Sequence, residues 1–397
     1  MKRIRKLLRR HLGHIVFIFG AVAIVASALL FRLSSLAPSL SPGEQMTLAA
    51  TISLHKIIDN PAHLPLKLLE WSTRFAPTHH VLLFSRLPSV VLASISLLIF
   101  AYILRRWYGP RTAVFGFVML ATSAWFLHVG RFAGTDVEYL TGILALLAIH
   151  IGLYDHDDHP LMLYVWLLTN LALLFIPGFV WFVLLSLVWQ RAELLTAWQK
   201  LGPLRNRIIW TVAAVVGLVA TTYSITRNIQ LLKVWLGAPE VFASWQSILR
   251  QLVNTLETVV YQGPHNPEIW LGRLPLLDTF SGIMLIAGIA FYIRHWRASR
   301  TRLLLSYLVL GIVLASLGGA VRFSVIVPII YLVAIGGVAY ILHFWLSTFP
   351  RNPLARATGI GIVVTIIALS CFYNLEQYFV AWPHNEEVVK IYQHPSP

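Results

Sequence analysis

Cysteine is almost absent from this sequence. Of its 397 residues only Cys371 is one, which excludes a disulfide framework, Cys-based metal binding and thiol redox chemistry. Acidic residues are scarce as well, 16 Asp and Glu against 31 Lys and Arg. All of them fall in loops or near the ends of apolar runs, so no carboxylate stands at mid-membrane depth, where proton- and sodium-coupled transporters place their coupling groups. No Gly-rich phosphate loop, no Gly-x-Ser-x-Gly and no His-Glu-x-x-His occurs, which removes soluble nucleotide chemistry and the common hydrolase signatures. Internal repeats and low-complexity tracts are missing too.

Hydrocarbon fills most of the chain. With 57% hydrophobic and 12% charged residues and a mean hydropathy of +0.72, the composition lies outside the soluble globular range. Apolar runs near the length needed to cross a bilayer as a helix start at about Ile15, Leu87, Thr112, Tyr139, Leu161, Phe179, Ile208, Phe280, Leu303, Ser324 and Thr358. The expected fold is therefore all-α, a polytopic membrane protein of about eleven spans forming a single integral membrane domain over 1–397. Ile176-Pro177-Gly178 either turns the chain between two short spans or kinks one long one.

Basic residues set the expected orientation. The run Lys2 to Arg10, then Arg105, Arg106 and Arg111, Arg191 to Arg207, Arg294 to Arg302, and Arg351 with Arg356 hold most of the 31 and fall on one side. By the positive-inside rule that side is cytoplasmic. The N-terminus is then cytoplasmic and the C-terminus extracytoplasmic, with the plasma membrane as the expected location. The net charge of +15 is thereby assigned to topology and to contact with anionic lipid headgroups, not to nucleic acid.

Two long segments are left for the outer face, 34–86 and 226–278. The first is far longer than adjacent spans require, and such loops are commonly functional. Helical spacing of Met46, Ala49, Ala50, Ser53 and Ile57, and again of Leu64, Leu68, Trp71 and Phe75, predicts two short helices at the membrane surface. The second carries an amphipathic pattern from Pro239 to Gln262, closed by Gly263-Pro264.

The conspicuous polar residues each admit a plain reading beside a chemical one. Ser41-Pro42-Gly43-Glu44 is a capping box, so Glu44 either closes a helix or presents a carboxylate. Asp136 either caps the fourth span, with Arg131 as its ion-pair partner, or faces the same cleft as Glu44. Arg86 and Arg322, at the heads of their spans, are either interface anchors or a phosphate clamp. His79-His80 and Asp155 to His159 contain metal-ligand residue types but read as an interface pair and a solvated inner hairpin. No metal site is assigned.

The order of these features resembles the GT-C glycosyltransferases, in particular the protein O-mannosyltransferase and lipid A aminoarabinose transferase group. The residues that carry the resemblance are Pro42-x-Glu44, His63-x-Pro65-Leu66, Ser85 to Ser89 entering the second span, Arg105 to Gly109 leaving it, and Gly130 to Asp136 after the third. It covers about residues 1–150. Two departures stand out. Gly43 occupies the place of the first acid in the family's usual Asp-Glu pair, and Leu64 replaces the first proline of His-Pro-Pro-Leu.

The resemblance implies many membrane helices with juxtamembrane helices over an outer cleft, a polyprenyl-phosphate-linked sugar as donor, membrane lipid around it, and an extracytoplasmic acceptor. The expected activity is transfer of that sugar. Deprotonating the acceptor needs a carboxylate, for which Glu44 and then Asp136 are the candidates. The departing lipid phosphate needs positive charge, expected from Arg131, Arg86 and Arg322, with His63 as a further binding residue. No resident cofactor is implied, and a divalent cation is an option left open. A transporter or flippase for a lipid-linked substrate and a non-catalytic assembly subunit are the alternatives, the latter favoured by Gly43.

Overall fold

A chain passing through hydrocarbon can satisfy its backbone groups only within the segment or in a closed barrel. In the computed structural model every regular element is a helix among the described residues, which are Gly20, Ala23, 27–73, Phe75, 81–155, 160–201, 204–239, 244–264 and 266–393. Lys2 to Arg10, most of the first expected span, His79-His80 and His156 to His159 lie outside them.

Three short helices open the described chain: α1 (Pro42–Ala49), α2 (Leu54–Asp59) and α3 (Leu64–Thr73). Next come α4 (Val81–Tyr108), α5 (Pro110–Thr122) and α6 (Ala124–Arg131), then α7 (Asp136–Asp155), α8 (Pro160–Leu173), α9 (Phe179–Gln199) and α10 (Leu204–Thr226). After α11 (Ile229–Trp235) and the amphipathic α12 (Trp245–Val260), the chain continues as α13 (Thr279–Arg294), α14 (Ser299–Ser316), α15 (Val327–Thr348), α16 (Pro353–Glu376) and α17 (Glu386–Gln393). Among the described residues seven helical segments are long and apolar enough to cross a membrane, eight if the pair α5–α6 counts as one, while α8 and α13 are shorter apolar helices.

Two local departures from the sequence reading, and the alternative it left open at Pro177-Gly178, have physical causes. The third span is bent by 63° between α5 and α6, because Ser123 is extended and its hydroxyl caps a new helix by accepting from the Phe126 N–H at 3.3 Å. The first loop holds three helices and not two, since Ser53 is extended and caps Lys56, restarting the helix that α1 had begun. At Pro177-Gly178 the chain turns. Gly178 has φ +76°, a Cβ there would meet Val321 Cγ2 at 2.2 Å, and its N–H reaches Trp235 O at 2.8 Å, so only glycine fits.

The core lies where α4, α7 and α15 meet their neighbours, with Phe100, Tyr139 and Tyr331 fully buried. Helices α13 and α15 approach at glycines: a Cβ on Gly288 would strike Val333 O at 2.0 Å and one on Gly337 would strike Met284 O at 2.1 Å.

Polar contacts sort the bundle into two ends. At one, Trp382 Nε1 donates to Pro267 O at 3.2 Å, Tyr392 OH to Glu268 O at 2.9 Å and Tyr139 OH to Ala320 O at 2.8 Å, while Ser39 hydrogen-bonds Tyr392. At the other, Arg106 pairs with Asp155, Arg300 reaches Trp107 O at 3.2 Å and Arg294 reaches Tyr340 OH at 2.8 Å. The segments read as outer meet at the first end and the basic ones at the second.

Surface helices carry their apolar side outward. Met46 is 78% exposed and Phe75 76%, whereas Glu44, Lys67 and Glu70 are buried. Along α12, Trp245, Leu249, Val253 and Leu256 are exposed on one stripe. That inversion is the pattern of helices lying in a lipid interface.

Candidate functional site

Two polar clusters occupy the end of the bundle where the segments 34–86 and 226–278 meet, and the six residues singled out from the sequence divide between them. Glu44, Arg86 and Arg131 form the first. The capping box is realised: Ser41 N donates to Glu44 Oε2 at 3.1 Å, and Glu44 N donates to Ser41 Oγ at 3.2 Å. Glu44 does more than cap. Its Oε1 accepts from Arg86 Nε at 2.8 Å and from Ala133 N at 3.1 Å, and its Oε2 accepts from Arg86 Nη2 at 2.9 Å. A carboxylate has about four acceptor positions, and all of them are taken.

Arg86 is equally committed. Beyond the fork onto Glu44, Nη1 donates to Leu33 O at 2.9 Å and Ala37 O at 3.0 Å, and Nη2 to Ser39 O at 3.0 Å. With only 3% of Arg86 exposed, this pair fastens the chain ahead of α1 to the head of α4.

Arg131, also 3% exposed, closes α6 and holds the same strand of chain, donating from Nη1 to Ala28 O at 2.9 Å and from Nη2 to Phe31 O at 2.6 Å. Its guanidinium lies over the rings of Tyr378 at 5.1 Å and Phe379 at 4.9 Å. The Arg131 Nε–H has no partner among the described residues. Buried polar groups without a partner are exceptional, and this N–H is the donor on Arg131 left open to a water or a ligand atom.

Glu44, Arg86 and Arg131 line a cavity of about 20 Å³, the room of about one water. His128, Glu268, Tyr378, Trp382 and Tyr392 line it too. His128 escaped the sequence reading, although it stands three residues before Arg131 on the same helix face. Its ring is boxed by Tyr378 at 4.6 Å, Trp382 at 4.8 Å and Trp270 at 5.5 Å, and its Nε2 has no partner among the described residues. Burial, with the charge of Glu44 second, holds the Tyr392 phenol well above its usual range, so it stays a donor.

The second cluster gathers at the start of α7. Asp136 accepts from Ser324 Oγ at 2.5 Å, and Arg322 is exposed two residues before that serine. Asp136 is not among the residues lining the 20 Å³ cavity. His63, held at φ +62°, places Nδ1 2.6 Å from Glu138 Oε2, while Glu138 Oε1 accepts from Leu66 N at 2.8 Å. Glu138, which the sequence reading passed over, thus fixes the entry of α3. Burial lowers the Lys67 ammonium below its ordinary range, with Glu138 and Glu70 pulling the other way, and its Nζ donates to Asn60 O at 2.7 Å.

Beyond the polar sites a groove of about 930 Å³ runs the length of α13, from Thr279 to Ile293. That is about 21 Å of helix. Its walls are apolar residues of α13 to α16, and Leu256, Val259 and Val260 of α12 cover its outer end. Gln377 faces this groove and the next residue, Tyr378, faces the small cavity. The two spaces share a wall.

The arrangement of bundle, surface helices and clusters has a solved counterpart. Its fold is similar to that of ArnT. The structure of ArnT from Cupriavidus metallidurans bound to undecaprenyl phosphate superposes with a TM-score of 0.53 at 13% identity, over 96% of this chain and 77% of that one. The apo structure of ArnT gives 0.52 at 13% identity, over 96% and 76%. No protein-family model matches the sequence, and no curated protein does. The ArnT likeness shows the fold, that of an all-helical polytopic membrane protein. Among the described residues no three His, Cys, Asp or Glu side chains come together in a way that would hold a metal ion.

Proposed function

We propose that this protein is a membrane glycosyltransferase that takes a sugar from a polyprenyl-phosphate carrier and passes it to an acceptor at the outer face of the cell membrane, with the N-terminus inside. The observation that carries this reading is the apolar groove of about 930 Å³ sharing a wall with a buried cavity lined by two arginines and two glutamates, in which Arg86 is spent on Glu44 and Arg131 is not paired to a carboxylate. A long isoprenoid chain matches such a groove, since its burial is favoured at about 25 cal/mol per Å² of apolar area when it leaves water. A phosphate would satisfy the open Arg131 Nε–H by a charge-assisted bond once the cavity, which as it stands has the room of about one water, widens to admit it. ArnT, whose fold this chain shares, binds undecaprenyl phosphate in one of its structures.

In this reading the chemistry is displacement at the anomeric carbon. The acceptor oxygen attacks as the lipid phosphate departs, and Arg131 stabilises the charge that develops on it. Arg86 acts one step back, since its five donors hold the carboxylate and the chain that shape the cavity.

Purified protein should be stabilised against heat by polyprenyl phosphate more than by the matching polyprenol. It should also release free polyprenyl phosphate from a sugar-loaded carrier when source-membrane extract supplies the acceptor. Arg131→Lys is expected to keep part of the phosphate-dependent stabilisation and Arg131→Ala to lose it, since a point charge attracts phosphate without the planar fork. Equal stabilisation by polyprenol, with no release from any sugar-loaded carrier, would overturn the proposal. Movement of the intact loaded lipid across a vesicle would favour a flippase instead.

A further inference from the structure

Gly43 stands where the resembling family carries the leading acid of its pair, yet the space beside it is not empty. A Cβ on Gly43 would lie 2.6 Å from Glu268 Oε2 and 3.5 Å from Phe132 Cζ. A carboxylate from the second outer segment, more than two hundred residues along the chain, therefore fills the volume that a side chain at 43 would occupy.

The backbone of Glu268 is fixed from several sides. Glu268 N donates to Asn266 Oδ1 at 3.2 Å, and Tyr392 OH donates to Glu268 O at 2.9 Å. Trp382 Nε1 grips the preceding carbonyl, Pro267 O, at 3.2 Å. The side chain is treated differently. Glu268 is half-buried and lines the small cavity, and among the described residues its carboxylate has no hydrogen bond and no ion pair. A rigid main chain thus presents an uncommitted, water-accessible carboxylate to a cavity with two buried arginines, in a position to exchange its water for a ligand.

Resting on the glycosyl-transfer reading above, we infer that Glu268 is the general base of this protein, supplied from the second outer segment in place of the side chain that Gly43 lacks. Glu44 has no lone pair left for an acceptor proton, whereas Glu268 has all of its own free. In the step assigned to it, a lone pair of the acceptor hydroxyl forms the new bond to the anomeric carbon. The bond from that carbon to the phosphate oxygen breaks with its electron pair, which leaves on polyprenyl phosphate beside Arg131. The hydroxyl proton ends on the Glu268 carboxylate and is then given up to water. Gly43 is a specificity device in the same scheme, because any larger residue displaces the base.

The test uses the full chain, a sugar-loaded polyprenyl phosphate with source-membrane extract, and two readouts: release of polyprenyl phosphate and thermal stabilisation by polyprenyl phosphate. Glu268→Gln should lower release about 10²–10⁴-fold, the usual cost of a lost base, with stabilisation unchanged. Glu268→Ala should be equally slow, and adding Gly43→Asp should return about tenfold or more, because the Cβ then has room and a carboxylate regains the same site. Release by Glu268→Gln within about twofold of the parent would overturn the inference while leaving glycosyl transfer standing. Failure of a folded Glu268→Ala, Gly43→Asp double variant to recover any release would overturn it also. A parent that releases nothing from any sugar-loaded carrier would bring down the transfer reading and this inference with it.

Discussion

Glu44 and Glu268 line the same cavity and are held in opposite ways. Around Glu44 every acceptor position is filled and the partner guanidinium spends all five of its donors, so side chain and surroundings form a closed knot. At Glu268 the main chain is tied by Asn266, Tyr392 and Trp382 while the carboxylate is left untied. A satisfied buried network sets position, and an unsatisfied group in a rigid frame is available for exchange with a substrate. The comparison teaches that position within a motif does not by itself assign the chemistry, since two acids serving one cavity divide holding from reacting.

Substitutions on the two sides should separate stability from turnover. The largest expected effect is Arg86→Ala, which leaves Glu44 charged and buried and strips three carbonyls of their donor. Breaking a buried pair in this way costs about 3–5 kcal/mol, seen as a large fall in thermal denaturation temperature in detergent or as loss of folded protein. Next is Glu44→Gln. Its oxygen can keep one set of contacts, but its NH₂ must face one arm of the Arg86 fork together with either Ala133 N–H or Ser41 N–H, donors against a donor, for about 1–3 kcal/mol. Release per folded molecule should survive. A Glu44→Gln protein as stable as the parent but inactive would reverse the roles assigned to the two acids.

Smaller still is the stability effect of Glu268→Gln, within about 0.5 kcal/mol because no partner is lost, although its release should collapse. Gly43→Ala is the finest probe. It should push the Glu268 carboxylate aside and slow release while leaving denaturation unchanged, and it should make no further difference in a Glu268→Ala background. Additive effects of the two changes would break the coupling on which the comparison rests.

Much of this end of the molecule was legible in the sequence. Hydropathy located the apolar runs that appear as the helices α4 to α10 and α13 to α16, of which α8 and α13 are shorter than a span, and the basic residues gather at one end of them. The capping box at Ser41 was readable because its partners are three residues apart. What escaped was long-range or hidden within an apolar run. The Glu44–Arg86 pair spans 42 residues and the approach of Glu268 to Gly43 more than two hundred, and neither has a period to detect. Ser123 bends its span because one hydroxyl starts a new helix, a signal that a hydropathy window averages away. Glu138 looked like another span-end acid, and only the fold reveals that it receives His63 and Leu66 N.

The glycine contacts between α13 and α15 carry a mechanical consequence. With Gly288 against Val333 O and Gly337 against Met284 O, those two helices have no side-chain cushion between them. They cannot slide or part without breaking backbone-to-backbone contact, so they behave as one stiff post. The groove along α13 then has two flanks that are not part of the post, α14 with the α12 cover above it and α16. Side-chain rearrangement in the groove therefore falls to those two flanks, while the post fixes the distance from the groove to the polar cavity.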